Sequence, residues 1–70
     1  MSTMTATIST RHGEAQVWLD TESDPGNPGY VVRYSNGDQD HLDEYLTGET
    51  DEQAEAEARE FLAREGFVQA

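Results

Sequence analysis

Fifteen carboxylates stand against four arginines and no lysine in a chain of 70 residues, a formal charge of −11 at pH 7. Whatever this chain folds into must bring like charges together, and self-repulsion works against every compact state. The length allows one small domain spanning residues 1–70, with no room for a second core or an enzyme-sized cleft. With no cysteine, disulfides, zinc–thiolate sites and thiol catalysis are excluded. A domain of this size without a disulfide or a metal balances the area it buries against the entropy it loses.

Composition alone, at 34% hydrophobic residues and high net charge, leans toward disorder. The patterning points the other way. Ala6 and Ile8 alternate with Thr5, Thr7 and Ser9, a period-two signal rich in β-branched residues. Val17 and Leu19 continue it, with Gln16, Trp18 and Asp20 on the opposite face, and Tyr30, Val32 and Tyr34 alternate with Val31, Arg33 and Ser35. Turns are expected at His12-Gly13, over residues 23–29, and at Asn36-Gly37, where a type I′ hairpin turn suits a pair of residues that tolerate positive φ. Residues 38–46 read as a fourth strand or as a short helical turn. As a strand they set Leu42, Glu44 and Leu46 on one face and His41, Asp43 and Tyr45 on the other.

The C-terminal helix has the clearest boundaries. Thr50-Asp51-Glu52-Gln53 fits a capping box, and Ala54, Ala58, Phe61 and Leu62 recur at helical spacing as one apolar stripe. Glu55–Arg59 and Glu60–Arg64 are i,i+4 pairs in the favourable order. Gly66 supplies a left-handed C′ position, with Phe67 placed to fold back on the last turn. The expected fold is therefore α+β, an antiparallel three- to four-stranded meander followed by one helix on one sheet face. One helix covers one face, so Trp18 and Val31 are expected on the other, with Trp18 partly exposed and a candidate anchor for a partner or a second copy.

The chemical motifs are few. His12 and His41 lack a cysteine partner, and the chain has no Gly-x-Ser-x-Gly elbow and no His-Glu-x-x-His helix. Carboxylates are plentiful, but general acid–base work needs two of them in different environments inside a pocket. Asp20, Glu22 and Asp24 alternate like the opening of a calcium loop. Pro25 then stands where that loop needs glycine and Val31 where it needs glutamate. The reading is of a chain with no catalytic residues, no cofactor and no metal. The apolar runs fall short of the roughly 18 residues of a membrane span, and MSTMTATISTRHG lacks a signal pattern, so a cytoplasmic location is expected.

The charge is the most informative feature. Residues 38–60 hold ten acids and one base, Arg59. Acids four apart on a helix lie about 6 Å apart along its axis, close to two phosphate steps of a nucleic-acid strand at about 3.4 Å each. Asp38, Asp40, Asp43, Glu44, Glu49, Asp51, Glu52 and Glu55, with Trp18, are the candidate partner-binding residues. The build of the whole chain resembles the small acidic inhibitors encoded by phages and mobile elements, notably anti-CRISPR proteins and other DNA mimics. It shares their size, their lack of cysteine, a short sheet with the helix TDEQAEAEAREFLAREGF, and dense acids from Asp38 to Glu60. That resemblance implies a stoichiometric inhibitor, monomeric or homodimeric, that blocks the basic DNA site of a Cascade-type CRISPR effector and binds neither nucleic acid nor membrane itself. The alternative is an interaction or dimerisation module from a salt-loving organism, whose acids hold hydration in molar salt.

Either way, screening should stabilise the fold. A few hundred millimolar neutral salt is expected to raise the melting temperature, because it relieves repulsion more than it weakens a few surface ion pairs. A flat or falling melting temperature in a calorimetric salt series would show that the acids stand too far apart to repel.

Overall fold

The computed structural model describes residues 2–23, 26–38 and 41–68. Four strands, β1 (Thr3–Thr10), β2 (Gly13–Asp20), β3 (Gly29–Tyr34) and β4 (Leu42–Tyr45), precede one helix, α1 (Asp51–Arg64). The strands form one antiparallel sheet in the order β1-β2-β3-β4, and the helix lies across one face of it. The expected α+β meander is the observed fold, and the segment left open between strand and helical turn forms β4 over Leu42–Tyr45. No helix among the described residues is long and apolar enough to cross a membrane.

Alternation along the strands builds the core. Ile8, Ala15, Val17, Tyr30 and Val32 meet Ala54, Ala58 and Leu62 from α1, all buried. Val17 and Val32 are directly paired across β2 and β3, and Leu62 completes the contact from above. Alanines at 15, 54 and 58 keep three of these core positions small, which favours a close approach of helix and sheet. Phe61 and Tyr34 close the far end of the core edge to face, their ring centres 5.3 Å apart.

Helix termination follows the sequence. The Thr50 hydroxyl accepts from the Gln53 amide at 3.1 Å. Gln53 reaches back one residue further than the capping box requires, its side-chain oxygen accepting from the Glu49 amide at 2.9 Å. At the other end, Gly66 has φ +84°. The Phe67 amide donates to the Leu62 carbonyl at 2.8 Å and the Gly66 amide to Ala63 at 3.0 Å, the paired bonds of a Schellman motif. Glu55 and Arg59 form their pair at 3.0 Å; Glu60 and Arg64 form none among the described residues.

Two departures from the sequence reading have local causes. Asn36-Gly37 is not a two-residue type I′ turn: Tyr34 pairs with Leu42, and no described residue other than glycine has positive φ. The Asp38 amide that such a turn would use donates instead to Asn36 Oδ1 at 2.9 Å, and the Gly37 amide donates to Ser35 Oγ at 3.1 Å. Gly37 instead lies over the His12 ring, where an added Cβ would come within 3.0 Å of Nδ1. The second departure is a β-bulge between Met4 and Ala6, with the Thr5 hydroxyl donating to the Val17 carbonyl at 3.3 Å. Met4 shares sequence parity with Ala6 and Ile8, but the extra residue turns it to the opposite face, beside Trp18.

Candidate functional site

The sheet face away from α1 carries one row across all four strands, in which Met4 pairs with Trp18, Trp18 with Val31, and Val31 with Tyr45. Trp18 and Val31 are half-buried, whereas Met4 is 45% and Tyr45 72% exposed. The Trp18 indole N–H donates to Gln16 Oε1 at 3.0 Å, which fixes the ring on the sheet surface. The next row, Thr7–Gln16–Arg33–Asp43, is polar, and Arg33 Nε bonds Asp43 Oδ1 at 3.1 Å. The expected placement of Trp18 on the face the helix leaves open is observed. Met4 was hidden from period-two reading by the bulge.

Beyond the Trp18 row, along the strand direction, stands a group of acids. Asp20 closes β2 and pairs with Gly29, and the Leu46 amide donates to the Tyr30 carbonyl at 2.9 Å, so the 46–50 connection and the start of α1 come to this same end of the sheet. Asp20, Glu22, Glu49, Asp51 and Glu52 all stand here. Neither residues 20–29 nor residues 46–58 contain an arginine, lysine or histidine. A shallow depression of about 300 Å³ brings Ser2, Asp20 and Ser23 together with Trp18, Val31, Tyr45 and the Arg33–Asp43 pair; of the five acids only Asp20 lines it.

Some of these carboxylates also hold the fold. Asp20 Oδ1 accepts the Glu22 and Ser23 amides at 2.9 and 3.2 Å, and Oδ2 the Ser23 hydroxyl at 2.7 Å. The Ser23 hydroxyl, and then the two amides, hold Asp20 below the usual carboxylate range. Asp51 accepts the phenol of the buried Tyr30, which pushes the tyrosine above its ordinary range. Glu57 acts from the middle of α1. Its oxygens each accept the Thr47 amide at 2.9 Å, and Oε1 also takes the Gly48 amide at 2.8 Å and the Thr47 hydroxyl at 3.1 Å. The Thr47 amide is the main cause of its lowered pKa, and Gly48 adds to it. Only glycine fits at 48, since a Cβ there would come within 2.8 Å of the Ala54 nitrogen.

The acids expected to form one row from Asp38 to Glu60 are thus distributed over several places. Glu49, Asp51 and Glu52 come together at the arginine-free end. Asp43 and Glu55 face arginines, and Glu44 lies on the helix side of β4, near the Tyr34 phenol. Asp38 lies in the β3–β4 connection at the far end, and Asp40 falls outside the described residues. The same far end holds Arg11, His12, His41 and Arg64. Its open groove of about 400 Å³ is lined by His12, Glu14, Arg33 and His41. His12 there packs edge-on against Phe67, ring centres 5.3 Å apart, a structural contact. Among the described residues no three His, Asp or Glu side chains are arranged to hold a metal ion. No protein family, curated protein or solved structure matches the chain.

Sequence reading weighs Asp20 and Glu22 only as the opening of a calcium loop and not as partner-binding residues, although their place before a Pro/Gly-rich loop is the available signal. Glu57 was equally unmarked, because its partners are backbone amides ten and nine residues away.

Glu57 carries the stability prediction of this site. Because its folded pKa lies below its unfolded value, its contribution is present above the ordinary glutamate range and is lost as pH falls through the folded pKa. Glu57→Ala is expected to cost about 1–2 kcal/mol near neutral pH, the scale of hydrogen bonds to a charged acceptor. The difference from wild type should shrink toward acid pH in urea titrations. A pH-independent difference would assign the loss to helix packing instead.

Proposed function

We propose that the protein is a non-catalytic inhibitor that docks on a basic, nucleic-acid-binding surface of another protein. A CRISPR effector of the Cascade type is the target class that its acidic build suggests. The observation that carries this reading is the meeting of Asp20, at the acidic end of the sheet, with the Trp18–Val31–Tyr45 row in one depression. Lysines and arginines that receive phosphates are drawn to carboxylates by the same long-range field. Guanidinium and ammonium groups are also held over the faces of tryptophan and tyrosine. The acidic end and the row meet at Asp20, so adjoining surfaces supply steering and an anchor for a cationic groove. Asp20 and Asp51 have their geometry fixed by internal hydrogen bonds, so part of that surface is ordered before any partner arrives.

The test is competition for DNA binding by a purified Cascade-type complex, with three variants. Glu49→Lys with Glu52→Lys reverses charge at the acidic end while keeping Asp51 for Tyr30. Glu14→Lys with Glu65→Lys makes the same net change at the far end. Trp18→Ala removes the anchor. The first pair and Trp18→Ala should each weaken inhibition by about 2 kcal/mol or more, with the far-end pair near wild type. Equal losses in both charge pairs would show that net charge alone acts. Undiminished inhibition by the first pair, or no inhibition by wild type, would overturn the proposal.

A further inference from the structure

The two edges of the sheet differ in a way the acidic surface does not explain. Edge β4 is four residues long and carries Asp43 and Glu44, the usual protection against pairing with another strand. Edge β1 is eight residues, TMTATIST, with no ionisable side chain, in a chain of net charge −11. Beyond its ladder with β2, β1 makes no backbone–backbone hydrogen bond among the described residues; the first, from the Arg11 amide to the Phe67 carbonyl at 3.0 Å, comes just past its end. The bulge bends its first residues, leaving Ala6–Thr10 as the regular edge, with Thr7 and Ser9 exposed on the open face.

We propose that β1 is the edge at which two copies of this chain join, through antiparallel β1–β1 pairing about a two-fold axis, into one continuous sheet with four strands from each copy. Strand addition is recognised by backbone groups. An uncharged edge offers nothing to select a charged partner strand, and the neutral β-prone strand at hand is β1 itself. Charge fixes the direction. β1 begins at the acidic end of the molecule and finishes beside Arg11, at an end where Glu14 and Glu65 are offset by arginine, so antiparallel pairing sets the acidic end of one copy alongside the less acidic end of the other. Parallel pairing would set like ends together. The two-fold places both helices on the same side and closes the assembly, so no further copies add.

Sedimentation velocity across a protein concentration series in 0.5 M NaCl, where repulsion is screened, tests this with wild type and Thr7→Glu/Ser9→Glu. Both substituted side chains lie on the exposed face, and self-pairing sets like charges across the seam. Wild type should shift from monomer to dimer as concentration rises. Amides of Ala6–Thr10 should become protected from hydrogen exchange in step, and the variant should dimerise at least tenfold more weakly with an unchanged circular dichroism spectrum. A wild type that stays monomeric up to about millimolar concentration would overturn the proposal. So would a variant that dimerises as well as wild type, or protection that appears elsewhere on the molecule.

Discussion

A formal charge of −11 surrounds a core that counts, among the described residues, eight buried side chains, three of them alanine, and most features of the structure follow from where carboxylates can stand around so small a core. An ionised carboxylate is tolerated when N–H or O–H groups turn toward it. Asp20 stands in the turn after β2, Asp51 at the buried Tyr30 phenol, and Glu57 at the amides of the 46–50 connection. Each turns a repulsive charge into a fastening, local to the turn at Asp20 and between separate segments at Asp51 and Glu57. Asp51 spans the most chain, 21 residues to Tyr30, while the Glu57 fastening holds the connection against the helix and so fixes where α1 begins on the sheet. Gly48 permits that close approach, and the adjoining helix start carries Glu49, Asp51 and Glu52.

The remaining charge is sorted along the strand direction. Arginine occurs in the middle of β3, in the C-terminal half of α1 and at the β1–β2 turn, so the opposite end of the sheet is left with acids alone. That end adjoins an aromatic row that the single helix cannot cover. A domain with one helix and a four-stranded sheet must leave one face to solvent, and here the exposed face carries Trp18, Val31 and Tyr45 across three neighbouring strands. The proposed function joins these two consequences of the fold into one surface.

Much of this was legible in the residues. Period-two alternation located β1 to β3 and the face that Trp18 occupies, and Thr50, Gly66 and the alanine stripe bounded the helix to the residue. Hidden were interactions that sequence spacing does not encode. The bulge at Thr5 reverses the face of Met4 without changing any residue type. The Asn36-Gly37 pair reads as a hairpin turn, yet it is held open by Ser35 and Asn36 side chains and by the His12 ring beneath Gly37. Glu57 reads as one more exposed helix acid, because its partners are amides that every sequence contains. The row inferred from Asp38 to Glu60 treated a run of acids as a surface, whereas the fold divides it between two ends and the helix flank.

The central claim is that particular carboxylates are structural acceptors and are not interchangeable members of a charged coat. A residue-resolved NMR pH titration of the side-chain carboxyl carbons tests it most directly. Asp20 and Glu57 should titrate with midpoints below the ordinary aspartate and glutamate ranges, as their hydrogen bonds require. Ordinary midpoints at both residues would contradict the account.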